Sequence, residues 1–449
     1  MKAPITVREY GRLTVRDNAV NTLTLAHIDR VDFDWLCQLS QRYKVSHAPA
    51  LAQVEDSRTL QLDNYVGVIE TPTGQVIEIL PKTANEDDPL EDGRELIRRM
   101  LERALDLPPR ETAEASLERF DMPLNEWVIA RFLAELDQLV KRGVRSDYQR
   151  LEATEPFLRG QLDVARQMRQ PPGRGHHFAL RYDLFLPDRA ENRLLKRALE
   201  TVANATQHPD NWRLAQELRH LLVDVPASLD VEGDFRLWRH DRLMAHYQGV
   251  RPWCELILYR AMPSALNGEW RGISLLFPME KLFERYVESC LREQLLPDAN
   301  LKAQVASQYL CSQQGKQMFR LQPDLLLQHG NKRWVMDVKW KRLDSSDRDG
   351  KYGISQGDLY QLFAYGHKYL TEQDDGHLVL IYPSWSQLKV PLEPFCYDAR
   401  LTLWVLPFDL AASSSHRLIL PCQPGADSAC ELRLPLKAHR ARLTGVSPC

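Results

Sequence analysis

The sequence lacks several features that would assign the protein to other classes. No apolar run approaches the roughly 20 residues of a membrane-spanning helix. The opening residues, MKAPITVREYGRL, contain no uninterrupted apolar core of a secretory signal. The phosphate-binding pattern Gly-x-x-x-x-Gly-Lys is absent from the whole chain. We therefore expect a cytoplasmic protein with no membrane partner that does not itself hydrolyse nucleotides.

The cysteines show no metal-binding pattern. The eight are scattered, with no Cys-x-x-Cys pair and no Cys/His spacing typical of a zinc site. We interpret them as reduced thiols, most of them buried. An alternative stays open: a metal cluster would require four cysteines that meet in space, and the candidate set is Cys311, Cys396, Cys422 and Cys430.

Positive charge is also not in excess. The net charge of -3 argues against a protein that coats nucleic acid by charge alone. A DNA substrate would therefore have to meet a local basic surface or be presented by a partner.

The length of 449 residues corresponds to about three domains, or two with insertions. We predict an α/β (α+β) multidomain protein with three consecutive parts. Residues 1–85 form a β-rich module, residues 86–270 form a mostly helical region, and residues 271–449 form a domain with a central mixed sheet flanked by helices. The acidic, turn-rich residues 85–93 are interpreted as a linker.

Hydrophobic periodicity supports this division. Strands are predicted at Leu13–Val15 and Leu23–Leu25, and a hairpin is predicted between residues 65 and 80. Helices are predicted over residues 94–107, 124–140, 211–222 and 251–262, and from residue 191 onward.

A helix over residues 279–295 begins the most informative region. Its apolar positions, 282, 283, 286, 287, 290 and 291, repeat as in an amphipathic helix. Glu284 lies at the border of that apolar face and can point at a site beneath the helix. A solvated helix glutamate is the alternative.

A hairpin follows, in which Leu321–Gln328 and Arg333–Lys341 are joined by the polar turn 329–332. If Gln328 pairs with Arg333, Asp324 lies directly opposite Asp337. Because side chains alternate between the two faces of a strand, one face of the hairpin is then buried and the other carries Asp324, Asp337 and Lys339. Adjacent carboxylates on a half-buried sheet are unfavourable unless a cation compensates them.

Magnesium explains this arrangement economically. Mg²⁺ takes oxygen ligands, and one or two carboxylates plus a substrate phosphate suffice. Lys339 would orient or deprotonate the attacking water and offset charge in the transition state of phosphodiester hydrolysis. We expect Asp324, Asp337 and Glu284 to be the metal ligands. An edge hairpin with a simply polar outer face is the alternative explanation.

A helix from Ser355 to Leu370 and a strand beginning at His377 follow the hairpin. One stripe of that helix carries Asp358, Gln361, Tyr365 and Lys368. The whole order resembles the nuclease core of the PD-(D/E)xK superfamily, whose RecB-like branches carry a Gln-x-x-x-Tyr element on the corresponding helix. By this resemblance Gln361 and Tyr365 would support the site or touch the DNA backbone.

Further segments resemble the McrC family, the nuclease subunit of the McrBC 5-methylcytosine restriction system. They are YVGVI, IEILPK, FLRGQL, ENRLLK and FERYV. The resemblance implies a Mg²⁺-dependent DNA endonuclease that docks on a McrB-like AAA+ GTPase ring and stimulates it. That partner would bind double-stranded DNA and read its modified cytosine. Residues 1–85 and 86–270 would be the docking part.

Two other hypotheses remain. A stand-alone repair or recombination nuclease on the same core would need its own basic DNA channel. A non-catalytic activator of an AAA+ ring would not need the acidic residues and the lysine at all.

Overall fold

The computed structural model describes residues 4–16, 20–45, 50–82, 89–105, 122–171, 173, 176–239, 242–260, 274–371, 374, 376–411, 417–421 and 432–437. In chain order the strands are β1 (Ile5–Arg8), β2 (Arg12–Thr14), β3 (Leu25–His27), β4 (Ala52–Asp56), β5 (Thr59–Leu62), β6 (Tyr65–Glu70), β7 (Val76–Leu80), β8 (Asp147–Glu155), β9 (Gln161–Leu162), β10 (Phe178–Leu186), β11 (Leu275–Pro278), β12 (Asn300–Ala303), β13 (Gln308–Gln313), β14 (Lys316–Leu321), β15 (Leu325–His329), β16 (Lys332–Val338), β17 (His377–Pro383), β18 (Phe395–Cys396) and β19 (Thr402–Phe408). The α-helices are α1 (Arg30–Val45), α2 (Leu90–Ala104), α3 (Leu124–Arg142), α4 (Val164–Met168), α5 (Ala190–Ala205), α6 (Pro209–Leu221), α7 (Val231–Leu237), α8 (Arg251–Glu255), α9 (Met279–Gln294) and α10 (Gln356–Tyr369). Among these described elements, no helix has both the length and the apolar character needed to cross a membrane.

The chain forms two compact units that are not consecutive in sequence. Unit 1 comprises Met1–Gly67, Gln75–Asp121 and Leu276–Cys449, and unit 2 comprises Val68–Gly74 and Met122–Leu275. This division differs from the three consecutive parts expected from the sequence. The reason is strand pairing, because β1, β7, β6 and β11 lie side by side in one four-stranded sheet.

The N-terminal part of unit 1 contains a second four-stranded sheet, β3-β2-β5-β4, and the helix α1. The predicted hairpin is present as β6 and β7. The sequence analysis did not predict α1, although Phe33, Leu36 and Leu39 form its buried stripe. The predicted linker is shorter than expected, since α2 already begins at Leu90 and residues 83–88 lie outside the described part of the chain.

A six-stranded mixed sheet, β12-β15-β16-β17-β19-β18, forms the centre of the C-terminal part of unit 1. Strands β16, β17 and β19 run parallel, and β12, β15 and β18 pair antiparallel with their neighbours. Helix α10 packs on one face, where Leu362 lies in a buried cluster with Leu380 and Leu403. Helix α9 packs on the other face, where the Phe283 ring contacts Trp340 and Phe408. The protein is therefore a mixed α/β protein with several sheets, as predicted.

Unit 2 contains the helices α3 to α8, as expected for a mostly helical region, but also a three-stranded sheet, β8-β10-β9. Strands β8 and β10 are nine residues each and were missed. The physical reason is that β8 buries no residue fully, so its sequence carries no apolar stripe.

Two residues of the ENRLLK segment, at the start of α5 in unit 2, make specific contacts with neighbouring segments. The Asn192 amide donates hydrogen bonds to the backbone carbonyls of Arg145 and Pro187 at 2.8 and 2.7 Å. Arg193 forms ion pairs with Asp234 and Asp188 at 2.5 and 2.8 Å. These bonds fix the start of α5 against neighbouring segments.

Candidate active site

The hairpin of β15 and β16 has the register that the sequence analysis assumed. Gln328 pairs with Arg333, and Leu325 pairs with Met336. Asp324 immediately precedes β15, so the same register brings it abreast of Asp337. Its Oδ2 atom accepts a hydrogen bond from the Val338 amide at 2.9 Å, and its carboxyl group is close enough to that of Asp337 for the two charges to interact. The turn therefore brings the two acidic groups together.

Lys339 completes the arrangement one residue past the end of β16. Its ammonium nitrogen lies 2.7 Å from Oδ2 of Asp337, in a pair whose side chains are 26% and 2% exposed. The Lys339 amide donates to the Ile381 carbonyl at 2.9 Å, which extends the pairing with β17. The backbone thus fixes the position from which the lysine reaches the carboxylate.

Burial and neighbouring charges shift the pKa values of Asp324, Asp337 and Lys339. Burial, followed by the charge of Asp337, raises the pKa of Asp324 from 3.8 to about 6. Burial also raises the pKa of Asp337, although the Lys339 ammonium opposes this shift. Burial acts to lower the pKa of Lys339, but the negative charges of Asp337 and Asp324 outweigh it, so the net shift is upward. The site holds one buried and one partly buried carboxyl group for one ammonium and can accept further positive charge.

Glu284 reaches this site through an amide. Gln304 Nε2 donates to Oε1 of Glu284 and, at 3.1 Å, to Oδ1 of Asp324. Oε2 of Glu284 pairs with the Lys281 ammonium at 2.8 Å. Gln304 is itself held in place. Its backbone N–H donates to the Asp324 backbone carbonyl at 2.8 Å, and its side-chain Oε1 accepts from the Gln322 side-chain amide at 2.5 Å.

The side chains at this site carry the kind of oxygen atoms that a hard divalent cation binds. Its available atoms are carboxylate oxygens, which Mg²⁺ prefers, and one or two carboxylates suffice when substrate and waters complete the shell. Within the described ranges, however, no group of three or more His, Cys, Asp or Glu side chains is placed to hold a metal ion. Asp324, Asp337 and Glu284 therefore do not form a ready-made cluster, and the Gln304 amide bridges Glu284 and Asp324.

The predicted Gln-x-x-x-Tyr element lies on α10, whose first turn is capped by Ser355. Gln361 Nε2 donates to the Tyr365 hydroxyl at 2.6 Å, and that hydroxyl donates to the Gln322 carbonyl at 2.9 Å. One turn later, the Tyr369 hydroxyl lies 2.8 Å from the carbonyls of Val305 and Leu321. Both tyrosines are buried, and together their contacts tie the backbone near Asp324 and Gln304 to the helix.

One expectation about the hairpin is wrong. The face that carries Asp337 was expected to be polar and half-buried, but Val335 on that face is 0% exposed and Asp337 is 1% exposed. The reason is that β16 is a central strand with α10 packed over it. The alternative of an edge hairpin with a solvated polar face is thereby excluded.

Sequence reasoning missed Gln304, Lys281 and Tyr382 as neighbours of the site. Tyr382 follows Ile381, the residue that pairs with Val338, and its pKa is raised by burial and then by Asp358 and Asp337. Its position could have been found by extending the parallel pairing of β16 and β17. Nothing in the sequence marks Gln304, which adopts a left-handed backbone conformation (φ 50°) that non-glycine residues rarely take.

The cysteine expectations have mixed outcomes. The cysteines that the structure describes are all free. Cys254 and Cys290 are buried, Cys37 is partly buried, and Cys311 and Cys396 are exposed, so the expectation that most are buried is not met among them. Cys422 and Cys430, which the alternative metal cluster requires, lie outside the described residues.

Comparison with known proteins identifies the family. A model described as McrBC 5-methylcytosine restriction system component matches residues 60–383, more than half of the chain. The chain belongs to the McrBC family. The resemblance inferred from the short sequence segments is thereby confirmed.

Two solved structures resemble this McrBC-family chain. One is described as a refined half-complex from a tetradecameric assembly of Thermococcus gammatolerans McrB AAA+ hexamers with bound McrC. It has a TM-score of 0.68 and 21% identity, with 91% of this chain and 95% of that chain covered. The other is the cryo-EM structure of the Thermococcus gammatolerans McrBC complex, with a TM-score of 0.50, 22% identity and coverage of 65% and 87%. A separate comparison with curated proteins gave no match. At these identities the structural likeness establishes a shared fold.

Proposed function

We propose that this protein is the endonuclease subunit of a McrBC-type restriction system and hydrolyses phosphodiester bonds of double-stranded DNA. The observation that carries the proposal is the pair of Lys339 and the buried Asp337, 2.7 Å apart, beside the Asp324 carboxyl group. Structural ion pairs are normally balanced in charge, whereas this site has an acidic group in excess. Such an imbalance at a buried position is typical of a functional site.

Mg²⁺ is the cofactor that this donor set supports, with Asp324 and Asp337 as ligands and Glu284 contributing through Gln304. When bound, the ion polarises the scissile phosphate and lowers the pKa of a bound water. The raised pKa of Lys339 keeps its amine protonated at neutral pH. Lys339 therefore donates hydrogen bonds to the attacking water or to the phosphate and offsets the negative charge that develops there.

Gln361 and Tyr365 support this site from helix α10. Because the Tyr365 hydroxyl binds the Gln322 carbonyl, α10 fixes the backbone two residues before Asp324. Hydrogen-bonding partners of catalytic groups hold those groups in their reactive geometry. Tyr365 is thus a positioning residue, and its burial keeps it away from the DNA backbone.

A McrB-like AAA+ GTPase ring is the proposed partner. The related structure is described as McrB hexamers with bound McrC, and this chain has no phosphate-binding motif and a net charge of -3. Most of the DNA affinity and the reading of a modified cytosine would then belong to the partner. A docking surface is available in unit 2, where the exposed rings of Tyr148 on β8 and Phe185 on β10 lie 5.0 Å apart on one ribbon.

The test is reconstitution. The purified chain should cleave methylated plasmid DNA poorly by itself, and should cleave it when the cognate AAA+ GTPase, GTP and Mg²⁺ are added. Omitting GTP or Mg²⁺ should abolish the cleavage, and Asp337→Ala should also abolish it while the partner's GTPase stimulation is retained.

Two outcomes would overturn parts of this account. Efficient cleavage by the isolated chain, with salt-sensitive DNA binding of its own, would replace the partner model with a stand-alone nuclease. Unchanged cleavage by the complex after both Asp324→Ala and Lys339→Ala would show that the chain only activates the ring.

A further inference from the structure

A cavity of about 540 Å³ opens where parallel strands of unit 1 end. It is lined by residues at or within four positions after the ends of β16, β17 and β19 in one sheet and of β1 and β7 in another. In open α/β sheets, ligands bind outside the carboxyl ends of the strands. The cavity therefore has the position and, at several hundred Å³, the size of a ligand site.

Cationic side chains and aromatic rings both line this cavity. Its walls include Lys82, Lys341, Arg342, Tyr10 and Trp385, together with one acidic residue, Glu280. The Lys82 ammonium lies 3.9 Å from the centroid of the Tyr10 ring, and the Arg342 guanidinium lies 5.3 Å from that of Trp385. Cations bind phosphate groups, and aromatic rings provide flat surfaces on which nucleobases stack.

The walls are held in place by a buried carboxyl group. Oε1 of Glu9 accepts hydrogen bonds from the Trp340 indole and the Lys82 amide, both at 2.8 Å. Glu9 is 2% exposed, and burial raises its pKa. Burial lowers the pKa of Lys82, and the nearby charge of Arg342 lowers it further, while Glu9 opposes the shift. A phosphate in the cavity would lie near the cationic side chains of Lys82, Lys341 and Arg342, which among the described wall residues are balanced only by the carboxylate of Glu280 and the buried Glu9.

The cavity adjoins the candidate active site along the chain. Lys341 and Arg342 follow Lys339 by two and three residues, which corresponds to roughly 7–10 Å of extended chain. Pro383, at the end of β17, lines the cavity and follows Tyr382, the neighbour of Lys339. A DNA strand whose phosphate lies at Lys339 would therefore reach the cavity with its next nucleotides.

We propose that this cavity binds one nucleotide of the DNA strand beside the scissile phosphate. Its phosphate binds Lys341 and Lys82, and its base stacks on Trp385 or Tyr10. The inference rests on the proposed function, because it assumes that the strand is cut at Asp324, Asp337 and Lys339. It adds a strand-holding subsite that is not selective for base identity, since every base presents a flat face to an aromatic ring.

The test is photo-cross-linking of 5-iodouracil-substituted DNA to the full chain assembled with its GTPase partner. Asp337→Asn is used throughout so that the DNA stays intact, and cross-linked peptides are identified by mass spectrometry. Adducts are expected on Trp385 or Tyr10. Lys341→Ala should weaken DNA binding by the complex roughly tenfold, as expected for the loss of one charge-assisted hydrogen bond, and should lower the adduct yield.

Lys332→Ala is the matched control, because Lys332 begins the same strand, β16, at its opposite end. Thermal melting of both variants checks that they fold. Adducts confined to other surfaces, or equal binding by Lys341→Ala and Lys332→Ala, would overturn the proposal. The proposal would also fail if free deoxynucleoside monophosphate bound in a Lys341-dependent manner while DNA gave no adduct, because the cavity would then be a site for a separate small ligand.

The failure of the two proposals can be told apart. If the wild-type complex does not cleave DNA but the adducts form in the cavity, the nuclease assignment fails and DNA binding at this subsite stands. If cleavage occurs but no adduct forms there, only the subsite is wrong.

Discussion

The Lys339 ammonium lies 2.7 Å from Oδ2 of Asp337, and the two side chains are brought together by an extended segment that pairs with β17 on one side. Residues two apart in a strand point to the same face, so this pairing follows from the strand geometry itself. Asp337 is buried under α10 and Lys339 is partly buried, so water screens their charges only weakly. Both the reactivity and the stability of this region should therefore respond strongly to changes in charge.

Replacing Lys339 by methionine should slow DNA cleavage by the assembled complex about 100- to 1000-fold, the usual loss when one charge-stabilising donor is removed. The methionine keeps much of the volume of the lysine stem but lacks its ammonium. Single-turnover cleavage of a plasmid measures the effect. Lys332→Met is the control at the far end of the same strand, and an undiminished rate for Lys339→Met would remove the lysine from the mechanism.

Asp324→Asn should stabilise the metal-free protein at neutral pH. The folded Asp324 has a pKa of about 6, above its ordinary value of 3.8, so between these values the folded state binds more protons than the unfolded state. Its contribution to stability therefore falls as the pH rises from about 4 to about 6, and the full penalty of about 2–3 kcal/mol is present above that window.

Urea unfolding in EDTA at several pH values checks this prediction. The advantage of Asp324→Asn over the wild type should be absent near pH 4 and should grow toward pH 7. The exposed Asp349→Asn is the control for loss of a surface charge. If the wild type instead gained stability relative to Asp324→Asn over this pH range, the pKa of Asp324 would not be raised in the folded protein.

Adding Mg²⁺ should offset that difference. Binding to the folded state alone stabilises it, by about 2.7 kcal/mol at a concentration one hundred times the dissociation constant. The wild type should therefore melt at a higher temperature with Mg²⁺ than with EDTA, whereas Asp324→Asn and Asp337→Asn should show little change. Equal shifts in all three proteins would indicate that Mg²⁺ binds elsewhere.

Gln304→Leu should reduce Mg²⁺ affinity and cleavage about 10- to 100-fold, the usual effect of removing a partner that orients a metal ligand. The substitution removes the amide that bridges Glu284 and Asp324. Gln308→Leu, at an exposed position of β13, is the matched control. If Gln304→Leu retained the wild-type metal affinity, Glu284 would have no functional link to the site.

The sequence was sufficient to predict the core of the site because the relevant signals are local. The polar turn fixes the register of β15 and β16, and that register places Asp324 beside Asp337. The amphipathic repeats similarly predicted α9 and α10. Short-range hydrogen bonding and side-chain period therefore determine these features almost alone.

Other features depend on contacts between distant parts of the chain, so they could not be predicted. Burial of the face that carries Asp337 requires α10 to pack over β16, and the bridge through Gln304 requires β12 to pair with β15. The cavity beside the site combines Tyr10 and Lys82 with residues beyond Lys339. Local periodicity contains no information about such pairings.

Asp337→Asn in the assembled complex shows whether the site of Asp324, Asp337 and Lys339 cuts DNA. Single-turnover cleavage of methylated plasmid DNA is measured with the partner GTPase, GTP and Mg²⁺, while GTP hydrolysis is followed in the same reaction. We expect cleavage to disappear and GTP hydrolysis to continue at the wild-type rate. Cleavage at the wild-type rate by this variant would show that the DNA is not cut at this site.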